Sequence, residues 1–504
     1  MPRLFLLLGA VAALMLLPGF LAGPSLDAAV FTQVAAMVAD GAVPYADIWD
    51  HKPPGMYLLL AAAQAAVPVL DPWTITWAVS IVASAGTGIA VSVAARRIGA
   101  SGPAAVAAAI LTVLGTTHYL MALGGGLTET VATPLVAVAF ASALQPMAGW
   151  RGRQLFAIGA LLALAVLISL QAVVGALVVV AIYLKRLSGV RRPLSFLLLV
   201  VGGALPVLVV ALWLAVTGGF SDAVDALWTY TAAYRAISAE GGRGLSGAVV
   251  GWAVLSELLL IVIALIGVSA TLRRGGLARL VTGAAVAWFA ISLGLFLVQG
   301  RFLAHYAIPL VIPMSIVGAA GVDRLAGQVR NAPAYGRGAL ILAPVIAAGL
   351  VSVSAAVVAG QMELRPITRD HAKSIAVSAF VGQMTKPDES IWVWGNEPQV
   401  YLDAERAQAG RYAYLYPLTT PGYVTPQMIA DAVDVLDANP PRLVIDAGSP
   451  EPGAPGFPRL IEPRPVATDG RDEDILSPLR TFVETNYDPA GVVAGWAVYV
   501  FRSR

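Results

Sequence analysis

The residues best equipped for chemistry lie close together near the start of the chain. Asp27, Asp40, Asp47 and Asp50 are followed by Lys52 in the run Gly41-Ala-Val-Pro-Tyr-Ala-Asp-Ile-Trp-Asp-His-Lys-Pro-Pro54. Four of the eleven acidic residues in the first 360 positions fall between 27 and 50. A carboxylate at bonding distance from a hydroxyl can take its proton, which makes Asp27, Asp47 and Asp50 candidate bases. Lys52 is one of only four lysines, against 28 arginines. The two prolines behind it fix an extended backbone, so its ammonium is held in one place and suits an anion such as a phosphate. A lysine near the headgroup level also snorkels for purely structural reasons. Asp47, Asp50 and His51 lack the spacing of a metal site, and a chain without cysteine has no thiolate ligands. Neither a metal nor another cofactor is expected.

These residues need elements to hold them. Val30, Phe31, Val34, Met37 and Val38 share one stripe of a helix over 26–39 that is expected to lie along a membrane surface, with Gly41 ending it. Asp27 then occupies the first turn, where the helix dipole favours an ionised carboxylate, a place that suits a base and a plain N-terminal acidic residue alike. Glu129, in Gly124-Gly-Gly-Leu-Thr-Glu129, opens another apolar run. An ionisable group at a membrane edge is expensive and usually functional, although it also favours a helix N-terminus. Arg301, His305 and Tyr306 open a later run. A guanidinium pairs well with phosphate, so Arg301 is a candidate second clamp. Trp228, Tyr230, Tyr234 and Arg235 fall at helix-like spacing and read as an interfacial helix, whose rings serve either as a membrane belt or as a substrate lid. Glu257 and Gln64 have no evident partner and receive no role.

The 504 residues are 58% hydrophobic and 12% charged, where an average soluble domain carries about 25% charge. An ordinary soluble enzyme is excluded. Residues 1–360 hold 19 basic and 11 acidic side chains, a net of +8, and the last 144 hold 13 and 19, a net of −6. Basic residues in short clusters between apolar runs also argue against nucleic acid. Eleven runs approach the length of a membrane span, at roughly 3–22, 75–95, 103–121, 128–145, 154–169, 171–184, 195–217, 247–270, 278–298, 305–322 and 338–359. The first reads as an uncleaved span rather than a signal peptide. With these spans, Arg3 and the clusters at 96–97, 151–153, 185–192, 273–279 and 324–337 all fall on one side, which the positive-inside rule makes cytoplasmic. Residues 55–70, short and interrupted by Pro68, are then an interfacial or re-entrant segment. Residues 1–360 form the membrane part, with a first outward loop at 23–74. Residues 361–504 read as one extracytoplasmic, soluble α/β domain, helical over 372–384 and 425–438, strand-like at 390–394, 443–445 and 496–501, with a loop at 447–465.

Asp27, the short helix and Gly-x-x-Pro-Tyr-x-Asp-x-Trp-Asp-x-Lys-Pro-Pro together resemble the integral-membrane GT-C glycosyltransferases, nearest to bacterial members similar to protein O-mannosyltransferases and the aminoarabinose transferase of lipid A. The resemblance implies a catalytic Asp27 just after the first span and a Lys52 that contacts the phosphate of a polyprenyl-phosphate sugar. It also matches Glu129 to a second outward acidic residue, and Arg301, His305 and Tyr306 to a segment near the lipid phosphate. Many relatives carry Asp-Glu at the first site, whereas Ala28 follows Asp27 here, so Asp47 and Asp50 stay in contention as the base.

The expectation is a multi-pass plasma-membrane glycosyltransferase, N-terminus cytoplasmic, that moves a sugar from a polyprenyl-phosphate donor to a glycan, lipid or protein acceptor of the cell envelope, with inversion. A transporter or lipid-linked sugar flippase is the alternative, since many spans and intramembrane charges suit it equally. A reporter fused after residue 186 should read cytoplasmic and one after residue 370 extracytoplasmic. Reports from the same side would overturn the eleven-span count.

Overall fold

The computed structural model describes residues 1–145, 152–186, 192–241, 251–298, 303–331, 335–448, 460–461 and 475–502. Arg301 and most of the 447–465 segment lie outside them. The chain opens with α1 (Pro2–Ala22), α2 (Leu26–Ala39), α3 (Gly55–Ala66), α4 (Pro72–Arg97) and α5 (Gly102–Thr117). Then come α6 (Thr128–Ala143), α7 (Gly152–Ile168), α8 (Ala172–Arg186) and α9 (Arg192–Thr217). A helical run over 220–241 contains a π-helical stretch at Asp225–Tyr230 and ends in α10 (Thr231–Gly241). The last bundle helices are α11 (Leu258–Leu272), α12 (Gly276–Val298), α13 (Ile308–Arg330) and α14 (Tyr335–Met384).

Each of the eleven apolar runs overlaps at least one helix among the described residues. Among the described residues, six helices are long and apolar enough to cross a membrane. The runs on α5, α6, α7, α8 and α11 form helices of 15 to 17 residues, which rise about 22–26 Å against a hydrocarbon core of about 30 Å. Length alone therefore does not make them spans. The run at 247–270 is interrupted: residues 251–256 are helical, Glu257 is in a turn, and α11 follows. The 12-residue α3 rises about 18 Å, less than a crossing.

Local signals explain the helix ends. Ser25, Asp71 and Ser101 cap α2, α4 and α5 with side-chain oxygens that accept from Ala28, Thr74 and Ala104. Gly41, at φ +103°, closes α2 as expected, with its N–H donating to Val38 and the Ala42 N–H to Met37. The expected single apolar stripe on α2 is not what the structure has. Residues 28–35 are buried all round, because α3, α4 and the helix Gln399–Ala404 of the tail enclose them. A residue stripe reports one partner, and α2 has three.

Helix α14 runs 50 residues without a break, where the sequence suggests a span ending near 359 and a separate helix from 372. Residue 361 thus lies inside a helix. Beyond it, β1 (Ile391–Trp394), β2 (Leu443–Asp446), β3 (Tyr487–Val493) and β4 (Trp496–Phe501) form a mixed sheet in the order β1-β2-β4-β3. Strands β1 and β2 are parallel, with Trp392 opposite Val444, and the other pairings are antiparallel. β3 is absent from the sequence reading because its outward residues and the register shift between Pro489 and Gly491 break the apolar alternation.

In the bundle, α11 and α13 cross at glycines. A Cβ on Gly321 would collide with the Ile263 carbonyl, and one on Gly267 with the Val317 carbonyl, so the helices approach as only small residues allow. Gly321→Val should lower the thermal stability of the detergent-solubilised protein by about 1–3 kcal/mol. Gly327→Val, at a position on α13 with open space around it, should be close to neutral. Equal melting temperatures for the two variants would contradict this crossing.

Candidate functional site

The loop between α2 and α3 is built by its own polar groups. Asp47 Oδ2 accepts from the Val43 N–H at 2.7 Å, the Asp47 N–H donates to Val43 O at 2.9 Å, and Tyr45 N–H donates to Ile48 O at 2.7 Å. Asp47 is exposed and occupied in closing this turn. The turn directs Trp49 inward, where it is buried against Tyr230 at 4.7 Å between ring centroids and against Tyr412, Tyr414 and Tyr423 of the tail. Its backbone N–H donates to Arg411 O at 2.8 Å. Arg411 in turn donates to Tyr45 O and, at 2.8 Å, to Asp222. Tyr423 donates to Asp225 at 2.5 Å. Loop, 220–241 segment and tail therefore share one polar and aromatic junction.

Asp50 is the buried anion of that junction. Tyr57 donates to Oδ2, Tyr414 donates to Oδ1 at 2.5 Å, and His51 Nδ1 lies 3.1 Å from Oδ1. Burial alone would raise its carboxyl, yet the bonds and charge of His51 and the hydroxyls of Tyr414 and Tyr57 bring it down to about 2. Burial together with that carboxylate holds the Tyr414 hydroxyl well above the usual phenol range.

Lys52 follows. Its carbonyl accepts from Tyr45 at 2.7 Å, with the Tyr57 hydroxyl oxygen 3.3 Å away, and Pro53-Pro54 lead directly into α3. The ammonium lies 5.6 Å from the centre of the Tyr306 ring. Burial would lower its proton affinity, but Tyr306, Asp27, Glu129 and Asp50 outweigh that and hold it raised, so it stays charged. Asp27, in the first turn of α2 and about one-third exposed, has Oδ2 3.6 Å from Nε2 of the buried His305. His305 packs edge-on to Tyr306 at 4.6 Å. Glu129, in the first turn of α6, is buried and accepts from Ser169 at 3.4 Å.

A cavity of about 120 Å³ is lined by His51, Lys52, Glu129, Tyr234, Arg235 and Tyr306, among others. Arg235 and Tyr306 also line a neighbouring cavity of about 230 Å³ whose other walls include Val173, Val174, Leu295 and Phe296. Val173 and Leu295 are themselves exposed at the bundle surface, so the apolar cavity reaches the outside of the helices. The structure thus brings Asp27, Lys52, Glu129, His305 and Tyr306 together. It sets Asp47 apart in its turn and uses Asp50 as an anchor.

Sequence reading missed the tail's share, Arg411, Tyr414 and Tyr423, and the cavity-lining role of His51. Tyr230 and Tyr234 face inward against Trp49 and His51, while Trp228 is exposed. Of these three rings, Trp228 is the one placed to serve as a belt residue. Glu257, given no partner from sequence, lies 2.9 Å from His118 Nε2, and Gln64 donates to Thr32 O at 3.5 Å.

No protein-family model and no curated protein matches the chain. Among solved structures, that of ArnT from Cupriavidus metallidurans in the apo state superposes with a TM-score of 0.56 at 14% identity, over 97% of both chains. The fold is GT-C. Two oligosaccharyltransferase structures from Archaeoglobus fulgidus, the first of them named AglB, are more distant. One, in complex with an inhibitory peptide and a dolichol-phosphate, has a TM-score of 0.49 at 12% identity over 87% of this chain and 69% of that one. The other, with Zn and sulfate, has 0.47 at 12% over 86% and 68%. The GT-C likeness to ArnT runs through the bundle and the tail together, so the tail belongs to the fold.

Asp50 has a folded value below that of an unfolded aspartate, about 3.9. Its contribution is therefore complete above about pH 4 and lost as the pH falls toward 2. Asp50→Asn should loosen the loop–tail junction by about 1–3 kcal/mol at neutral pH and flatten its acid dependence, read by hydrogen exchange at residues 411–414. Unchanged protection in the variant would mean that Asp50 does not hold the tail.

Proposed function

We propose that the chain is an integral-membrane glycosyltransferase that moves a sugar from a polyprenyl-phosphate donor to an acceptor hydroxyl of the cell envelope on the extracytoplasmic side of the plasma membrane. The observation that carries this reading is the half-buried, charged Lys52 in a polar cavity that adjoins an apolar one open to the bundle surface. A lipid phosphate has this division: an anionic head beside a long hydrocarbon. The GT-C fold supports the same class of reaction.

In the proposed reaction the acceptor hydroxyl attacks the anomeric carbon, its proton passes to a carboxylate, and the bond from that carbon to the phosphate oxygen breaks. Asp27 is the base in this scheme. Of the three loop candidates, Asp47 is occupied by a backbone N–H and Asp50 by three side-chain partners. Asp27, about one-third exposed, has among the described residues only His305 within ion-pair distance. Lys52 and Arg235 stabilise the phosphate as it leaves, with Arg301 as a further clamp and Glu129 orienting the acceptor. Displacement in one step inverts the anomeric centre.

Lys52→Ala should weaken binding of polyprenyl phosphate by roughly 10- to 150-fold, the value of a charge-assisted contact. Asp27→Asn should lower turnover by about 100-fold or more while donor binding stays near normal. Sugar transfer by the purified protein is the assay. Unaltered donor affinity in the first variant removes Lys52 from the site, and near-normal turnover in the second removes Asp27 as base.

A further inference from the structure

His51 stands at the cavity wall with one ring nitrogen already bonded. Its Nδ1 lies 3.1 Å from Asp50 Oδ1 and 3.1 Å from the Tyr414 hydroxyl oxygen, and neither Asp50 nor Tyr414 lines the cavity. Tyr414 has one hydroxyl proton, and its 2.5 Å bond to the Asp50 carboxylate uses it. An ionised carboxylate only accepts, so Nδ1 carries the ring proton in this network. Whenever the ring is neutral, Nε2 therefore holds the lone pair, and among the described residues no bond to it is present. The ring is kept in place by Tyr230 at 5.1 Å and Tyr234 at 5.5 Å. Tyr234 lines the same cavity.

A fixed acceptor nitrogen beside an aromatic ring has a specific complement. It is a hydroxyl on a carbon framework, because a fully ionised phosphate has no proton to give. We infer that His51 Nε2 and the Tyr234 ring form the sugar subsite of the donor: a sugar hydroxyl donates to Nε2 and the apolar C–H face of the sugar rests on Tyr234, while the adjacent Lys52 takes the phosphate. This rests on the donor reading given above. Tyr414 of the tail is a positioning residue for the subsite, since its hydroxyl holds Asp50, and Asp50 fixes the proton and the orientation of His51. The tail thereby takes part in selecting the sugar without touching it.

The test compares two probes at pH 8, a polyprenyl-phosphate hexose that the wild type transfers and the same polyprenyl phosphate without its sugar. His51→Ala should lose roughly 3- to 10-fold in affinity for the sugar-bearing probe, the value of one neutral hydrogen bond, and less than about twofold for the bare phosphate. Retained binding of the bare phosphate shows at the same time that the variant is folded. Tyr414→Phe, which removes one hydroxyl and keeps the ring, should show the same split more weakly. Among monodeoxy analogues of the sugar-bearing probe, one should bind wild type more weakly than the parent and bind His51→Ala no worse than the parent does. Equal losses for both probes in both variants, or no loss for either, overturns the subsite. Lys52→Ala should lose affinity for both probes, and if it loses neither, the donor reading itself fails whatever His51 does.

Discussion

Two opposite charges lie two residues apart, the Asp50 carboxylate withdrawn from water and the Lys52 ammonium half-buried, and the surrounding architecture is arranged to make that tolerable. An unpaired buried charge costs several kcal/mol. Each therefore requires partners that a loop by itself does not contain. Asp50 draws one from its neighbour His51, one from α3 as Tyr57 and one from the tail as Tyr414. Lys52 draws on Tyr306, Asp27 and Glu129, from three further parts of the chain. The site cannot assemble until the first loop, the start of α6, the segment before α13 and the tail are all in place.

This explains why the tail is not a passive appendage. The continuous helix α14 carries the chain from the bundle to the sheet, and the segment after β1 returns to the loop with Arg411, Tyr412 and Tyr414. Trp49 is the hub of the contact, with one backbone bond to Arg411 and four tyrosine rings around it. Aromatic rings suit such a junction because they exclude water while their hydroxyls still satisfy buried polar atoms. The π-helical stretch at Asp225–Tyr230 serves the same junction, since it sets Tyr230 inward against Trp49 and directs Asp225 to Tyr423.

What could be read in the sequence was what local chemistry decides. The position of Asp27 in the first turn of α2, Gly41 after α2, Glu129 in the first turn of α6 and three of the four strands follow from spacing and from the residues that end helices. The partners of these residues could not be read. Tyr414 is 364 positions from Asp50, Arg411 is 189 from Asp222, and Glu257 is 139 from His118. Contacts at such separations leave no periodicity in either segment. The enclosure of α2 escaped for a related reason: its alanines suit either close packing against neighbours or exposure at a surface, and only the neighbours decide. His51 was visible as a residue but not as a ligand, because what defines its free nitrogen is the bond made by the other one.

The same accounting constrains how a phosphate can be held. Around Lys52 stand Asp27, Glu129 and Asp50, three carboxylates to one ammonium. The oxygens of Asp50 are taken up by its own three partners, but the charges of Asp27 and Glu129 remain. A phosphate that approached Lys52 alone would meet at least as much negative charge as positive. Under the donor reading a second cation is therefore required near the phosphate, and Arg235, which lines both the polar and the apolar cavity, is placed at their shared wall. The requirement has a catalytic sense. Carboxylates near the ammonium limit how tightly the bound donor, with its charge spread over a phosphodiester, is held. The departing phosphate carries more negative charge than the bound phosphodiester, and the pull of the Lys52–Arg235 pair grows with that charge, so under the donor reading the pair favours the transition state over the ground state. Crowding carboxylates around the one lysine of this loop is thus consistent with a site built to release a lipid phosphate as well as to bind it.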